Sequence, residues 1–181
     1  MSILTGPEIV RVRESGVVVL DPFHPRHVNP NSYNLTLGPT LRTYTAPVLD
    51  VRQENETVEF AIPQEGIVLE PGRIYLGSSV EVLGSDRCAP IVKARSGIAR
   101  LGLFVHVTAD LIDIGSMGQT TFQLYAVQPV RLYAGTVLAQ VTFWESVGEI
   151  LPYNGKYMHS RGPQPSQIHR DHHGPTLTAA R

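Results

Sequence analysis

The sequence predicts a mainly all-β fold, a barrel or sandwich of short strands preceded by one short N-terminal helix. Runs of β-branched and aromatic residues recur along the chain, separated by Gly, Pro and Asp turn signals. The 181 residues include 16 glycines and 14 prolines, which favour many turns and oppose long helices. A hydrophobic content of 42% is enough for one sizeable core.

Each predicted element follows from local residue types. A helix is predicted over Glu8–Glu14, with Thr5 as its N-cap, Pro7 acceptable in its first turn and Gly16 ending it. Strands are predicted at the β-branched runs 17–20, 66–69, 74–76 and 137–144, and the apolar run 101–109 is also strongly β-prone.

Beyond residue 163 the chain becomes polar and rich in His and Pro, so we predict a β domain over 1–162 and a C-terminal arm with a mobile tail over 163–181.

Composition excludes several classes of protein. A formal net charge of −1 argues against binding a nucleic-acid polymer, which needs a basic face. Cys88 is the single cysteine, so no intrachain disulfide can form. The sequence shows neither an apolar run of transmembrane length nor a signal segment, and we expect a cytoplasmic protein with no membrane partner. The seven histidines lack zinc-site spacing, and His106 is expected to pack or hydrogen-bond inside the barrel.

The most informative segment is 94–113, ARSGIARLGLFVHVTADLID. Arg95, Ser96 and Arg100 surround a turn, and the apolar run that follows ends near Asp113. Guanidinium groups bind phosphate oxygens bidentately, and a serine hydroxyl with loop amides completes such an anion site. The same residues also suit a solvated surface turn, with Asp113 as a turn acid. The residues alone leave both interpretations open.

This segment resembles the motif RSS-x-AR-LGL-x-VHVTA-x-x-ID of the dCTP deaminase family, which shares its fold with the trimeric dUTPases. NSYNLTLG at 31–38 is similar to the family's S-x-DLRLG, GTVLAQ at 135–140 to its G-x-x-IAQ, and KY at 156–157 with RGP at 161–163 to its C-terminal arm. The matches span roughly residues 1–171. The resemblance implies a dUTPase-like distorted β-barrel or jelly roll, assembled as a homotrimer with sites between subunits.

The resemblance also implies a ligand and site residues. The ligand would be a pyrimidine nucleoside triphosphate carrying Mg²⁺ on its phosphates, with no direct metal ligand from the protein. Ser96 and Arg100 would line the deamination site, and Asp113 would orient the water that attacks the α-phosphorus. The residues implied to bind substrate are Arg95, Ser96, Gly97, Ala109, Gln140, Tyr153, Lys156, Tyr157 and Arg161.

One departure from the family bears on the reaction. GQTTFQLYA at 118–126 aligns with G-x-x-x-LEFYN, which places Gln123 where the deaminases have their catalytic glutamate. A carboxamide does not titrate near neutral pH and cannot shuttle protons, although it can hydrogen-bond a pyrimidine edge. Asp113, Arg100 and Gln123 are therefore the candidate catalytic residues. Further departures are Asn34, Thr36, Gly97, Asp110, Ala126 and Ser160.

Three functions remain open from the sequence. The preferred one is a hydrolase, a diphosphatase that splits a pyrimidine nucleoside triphosphate into monophosphate and diphosphate. The second is a dCTP deaminase that tolerates Gln123 by using another proton carrier. The third is a nucleotide-binding or regulatory protein without turnover. The residues do not distinguish cytosine from uracil, or ribose from deoxyribose.

Overall fold

The computed structural model describes residues 2–173, and strands dominate that part of the chain. The strands are β1 (Val18–Asp21), β2 (Tyr33–Tyr44), β3 (Thr57–Ala61), β4 (Ile67–Leu69), β5 (Ile74–Ser85), β6 (Cys88–Ala94), β7 (Leu103–Phe104), β8 (Met117–Ala126), β9 (Val130–Leu132) and β10 (Val137–Glu145). The helices are short: α1 (Gly6–Glu14), α2 (Ser96–Ala99), α3 (Arg170–His173) and a 3-10 turn at Pro25–His27.

Eight of these strands form one antiparallel sheet that curls into a nearly closed barrel. Its main path has the order β6-β10-β2-β5-β8-β7, with β1 paired to β5 and β3 paired to β2. Strands β4 and β9 form a separate two-stranded sheet. The predicted fold class, a mainly β barrel with a short N-terminal helix, is confirmed.

The core follows from strand periodicity. Alternate residues of β8 point inward, so Phe122 and Leu124 are fully buried. In β10 the alternation is interrupted by a register shift between Val137 and Ala139, where two consecutive residues, Leu138 and Ala139, are both buried. Helix α1 adds Ile9, also fully buried, to the same core.

The strands predicted at 17–20, 66–69 and 137–144 agree with β1, β4 and β10 within one residue, whereas the one predicted at 74–76 is only the start of the much longer β5. Helix α1 begins two residues earlier than predicted, and Thr5 occupies the N-cap position without a side-chain cap hydrogen bond. The prediction of a β-run over 101–109 is wrong, because the strand there covers only Leu103–Phe104. The chain then leaves the ladder, and the Val105 carbonyl accepts a hydrogen bond from the Gln123 amide at 2.8 Å.

The arm after residue 162 lies against the barrel as far as it is described. The Pro163 carbonyl accepts from Arg42 Nε at 3.0 Å, and the Ser166 amide donates to the Tyr44 hydroxyl at 2.9 Å. The domain boundary at 162 stays a prediction, and residues 174–181 of the predicted tail lie outside the described residues. No helix among residues 2–173 is long and apolar enough to cross a membrane.

Gly84 in β5 tests the close packing of the barrel. A Cβ added there would lie 2.3 Å from the Ser116 carbonyl oxygen and 2.9 Å from the Met117 sulfur. We expect Gly84→Ala to lower the free energy of unfolding by about 1–3 kcal/mol or more, measured by urea denaturation, because the obstacle includes backbone. Gly97→Ala is the matched control, since a Cβ there meets nothing within 4 Å. Equal stability of both variants and the parent would contradict this packing.

Candidate functional site

Strand β8 presents Gln123 to a cavity on the side opposite the core. Its neighbours Phe122 and Leu124 are buried, while Gln123 is half-buried and lines a cavity of about 1080 Å³. We call this space the β8 cavity; its walls are β8, part of β5, the loop 105–116 and the C-terminal segment 153–171. Of the twelve predicted site residues, six line it: Ala109, Asp113, Gln123, Tyr153, Lys156 and Tyr157.

The C-terminal segment that begins at Tyr153 is held next to Asp113. The Tyr153 amide donates to the Ile114 carbonyl at 2.8 Å, and the Tyr153 hydroxyl accepts from the Tyr157 amide at 3.1 Å. The Asp113 carboxylate is exposed and makes no side-chain hydrogen bond with the described residues. It is therefore free to bind a water molecule or a ligand group in the cavity.

Lys156 already has a carboxylate partner. Its ammonium group forms an ion pair with Asp171 of α3, and this contact holds the pKa of Asp171 below its usual range. Lys156 is half-buried and Asp171 is exposed. A phosphate group that binds Lys156 must compete with this carboxylate.

A second cavity, of about 440 Å³, holds four other predicted residues: Arg95, Ser96, Gly97 and Gln140. We call it the β10 cavity. The Arg95 amide donates to Leu138 at 3.0 Å, which continues the β6–β10 ladder and places the α2 turn beside the end of β10. The Gln140 carboxamide oxygen accepts from the Ser32 hydroxyl at 2.8 Å.

The predicted site is therefore not assembled within one cavity of one chain. Six residues line the β8 cavity and four line the β10 cavity. The remaining two, Arg100 and Arg161, are exposed and line neither. Any ligand that contacts all twelve residues must bridge surfaces that a single chain keeps apart.

His106 is a cavity residue whose surroundings the sequence did not predict. Its ring packs edge-on against Phe122, with centroids 6.1 Å apart. Both ring nitrogens are buried without a hydrogen-bond partner among the described residues. Burial lowers the pKa of His106, partly opposed by the nearby Gln123 carboxamide and Asp110, whereas Lys93 lowers it further.

Glu81 is a second buried ionisable group that the sequence gave no reason to select. It stands in an ordinary strand pattern, yet its side chain is 1% exposed. Its carboxylate accepts from the Thr36 amide at 2.9 Å and lies 3.9 Å from His27 Nδ1. Burial lowers the pKa of His27, although the Glu81 charge opposes this. The pair supports β2 and faces neither cavity.

Comparison with known proteins identifies the family. A family model for dCTP deaminase-like proteins matches residues 3–146. The chain belongs to this family. A family member from Clostridium acetobutylicum is 41% identical over 155 residues, covering 85% of this chain and 90% of the relative. One from Clostridium botulinum strain Alaska E43 is 42% identical over 171 residues, covering 93% and 98%. Both are named "dCTP deaminase, dUMP-forming".

A solved family structure supports the fold. The 2'-deoxycytidine 5'-triphosphate deaminase from Agrobacterium tumefaciens superposes with a TM-score of 0.64 at 21% identity. The match covers 80% of this chain and 48% of that chain. At this identity the likeness establishes the barrel and nothing about the reaction.

The names of the relatives correct the preferred reaction. We expected a diphosphatase whose reaction is hydrolysis of the triphosphate, because Gln123 lacks a titratable proton. Relatives about 40% identical over most of the chain are named as deaminases of dCTP, so that expectation is wrong.

The buried His106 predicts a pH-dependent stability. Because its pKa lies below the usual value in the fold, the unfolded chain binds a proton more readily as the pH falls below about 6.5, and the free energy of unfolding decreases. We expect His106→Asn to make this decrease shallower, by at most about 1.4 kcal/mol per pH unit. The exposed His172→Asn is the control and should keep the parent's slope in urea denaturation at pH 7 and pH 5. Identical slopes for parent and His106→Asn would show that His106 is not held neutral.

Proposed function

We propose that this chain is a dCTP deaminase that forms dUMP. The conversion replaces the C4 amino group by oxygen, releasing ammonia, and breaks the bond between the α-phosphate and the β-phosphate, releasing diphosphate. The observation that carries the proposal is that Gln123 and Asp113 line the same cavity. The first can bind the pyrimidine edge and the second can act at the phosphates, as the relatives' two-part reaction requires.

The residues divide between base and phosphates. The Gln123 carboxamide has a donor and an acceptor for the pyrimidine edge. Asp113 orients the water that attacks the α-phosphorus, since its carboxylate is exposed to the cavity and unpaired among the described residues. Arg95, Lys156 and Arg161 neutralise the charge of the triphosphate, and Ser96, Arg100 and Gln140 supply the remaining polar contacts.

We propose that a second copy of the chain completes each site, in a homotrimer. The separation of the β8 and β10 cavities supports this, because a ring of three copies can place the β10 cavity of one subunit against the β8 cavity of the next. The segment between Arg100 and Asp113 exposes large apolar side chains that a subunit contact would cover. They are Leu101 at 50%, Phe104 at 49%, Val107 at 51% and Leu111 at 61% exposure.

Mg²⁺ is proposed as part of the substrate. Residues 2–173 contain no group of three or more His, Cys, Asp or Glu side chains placed to hold a metal ion. The phosphates of a Mg-nucleotide would supply the ligands, and the bound ion would neutralise charge on the diphosphate leaving group. A free nucleotide substrate also favours the cytoplasm as the location of the protein.

The reaction is tested by product analysis of dCTP incubated with the full chain and Mg²⁺. We expect dUMP, ammonia and diphosphate in equal amounts. Asp113→Asn should lower diphosphate release by roughly 10² or more, with dUTP accumulating instead of dUMP, because the water is no longer oriented. Asp86→Asn, which changes an exposed acid outside both cavities, is the control and should match the parent. Unchanged dCTP with the parent protein would overturn the proposed function.

The shared site is tested by mixing two inactive variants. Arg95→Glu damages the β10 cavity and Gln123→Ala the β8 cavity. If each site joins these cavities from neighbouring subunits, co-expression of both chains should restore about one quarter of the sites, since each mixed ring contains one intact pair. Each variant expressed alone is the control. Mixed trimers, isolated by two different tags, that remain inactive would contradict a site between subunits.

A further inference from the structure

Deamination requires a group that moves protons, and Gln123 cannot do so. Water must lose a proton as it attacks C4, and the amino group must gain one before it leaves as ammonia. A carboxamide neither accepts nor releases protons at neutral pH. The proton carrier must therefore be another side chain that reaches the β8 cavity, or a group brought by the neighbouring subunit.

The titratable groups that line the β8 cavity within the described residues are two aspartates, one lysine, one arginine, three tyrosines and one histidine. Asp113 acts at the phosphates in the proposed function, and Lys156 and Asp171 are paired with each other. Tyrosine phenols and the Arg170 guanidinium do not accept protons at neutral pH. One cavity-lining group remains, the imidazole of His106.

We propose that His106 is the catalytic proton carrier of the deamination step, acting beside Gln123, which binds the pyrimidine. This inference rests on the proposed function, because it assigns a residue to that reaction.

The position of His106 supports the role. The hydrogen bond from the Gln123 amide to Val105 joins the loop to β8, so His106 lies next to Gln123 on the cavity wall. The ring is held by its edge-on packing against Phe122. Both ring nitrogens are buried and have no partner among the described residues. A buried polar group without a partner is costly, so a small rotation of the ring that brings a nitrogen to a water molecule or a pyrimidine in the cavity would be favourable.

The charges around His106 suit a base that works near neutral pH. Burial lowers the pKa of His106, so the ring is neutral at pH 7 and can accept a proton. The groups that face it are the Gln123 carboxamide and Asp110, which favour the protonated ring, and Lys93, which opposes it. Lys93 and Asp110 form an ion pair, so most of their effect on His106 cancels. Burial thus sets the resting state.

The proton transfers balance without any additional reactant. His106 takes a proton from water as the oxygen bonds to C4, and the electron pair of the C4=N3 bond moves to N3, which receives that proton. His106 then takes the remaining hydroxyl proton and delivers it to the amino nitrogen. The C4–N bond breaks, ammonia leaves, and the C4 carbonyl of uracil remains. One water is consumed and both of its protons are accounted for.

The test compares His106→Asn and His106→Gln with the parent in the full chain. Ammonia release from dCTP should fall by roughly 10² or more in kcat, while KM for dCTP changes little, since general acid–base catalysis has this magnitude. Diphosphate release from dUTP should match the parent, which shows that the fold and the phosphate chemistry are intact. In the parent, kcat for ammonia release should fall as the pH is lowered through a pKa below about 6.5.

A second variant separates a catalytic role from a structural one. Restoring a carboxylate in the double variant Gln123→Glu/His106→Asn should recover ammonia release, because the glutamate can carry the protons itself. Parent-like kcat and pH profile in both single variants would overturn the proposal for His106. Loss of dCTP binding together with turnover in both would also overturn it, by showing a structural role. A parent that releases no ammonia would overturn the proposed function itself.

Discussion

The pairing of β5 with β8 is the constraint on which the site depends. Side chains alternate along β8, so the register that buries Phe122 and Leu124 is the same register that turns Gln123 toward the cavity. A shift of one residue would place the carboxamide in the core and the phenyl ring in the cavity. The register is fixed where the ladder is interrupted: the Ser79 hydroxyl accepts from the Thr120 amide at 2.9 Å.

A second ladder positions the other half of the predicted site. Strand β10 lies between β6 and β2, which places Gln140 opposite Lys93 on one side and Asn34 on the other. The irregularity near Val137 buries two consecutive residues and so brings Gln140 out of the core. Asn34 Oδ1, at the position of the aspartate in the family motif, accepts a hydrogen bond from Asn29 Nδ2 at 2.8 Å. The two ladders of one sheet thus place the predicted residues in two separate cavities.

Much of the fold could be predicted from the sequence because it depends on local spacing. Turn residues and β-branched runs located β1, β4 and β10 within about two residues, and Gly16, with φ of 79°, follows the end of α1. The run after Phe104 was mistaken for a strand, since β-propensity does not reveal whether a partner edge is available.

The site was harder to predict because its contacts are distant in sequence. Ten of the twelve residues that the motifs selected line one of the two cavities, but nothing in their spacing showed that they would be divided between two cavities. The ion pair of Lys156 with Asp171 joins the segment after β10 to α3. The unpartnered nitrogens of His106 depend on the packing of its ring against β8. Such features come from tertiary structure, which motifs do not record.

If Gln123 occupies the position of the family's catalytic glutamate, as the motif alignment predicts, the proposed reaction must divide the work of the site differently. A carboxylate binds the pyrimidine and carries protons with one group, whereas a carboxamide can only bind. With a neutral amide at this position, the proton must move through a group that titrates near neutral pH, and the buried imidazole of His106 lies on the same cavity wall. A glutamine at position 123 also leaves no negative charge at the end of the cavity that is proposed to bind the pyrimidine. In the proposed mechanism a neutral His106 is easier to maintain without a carboxylate at position 123, because burial lowers the pKa of the ring, Lys93 lowers it further, and no charge at position 123 opposes them.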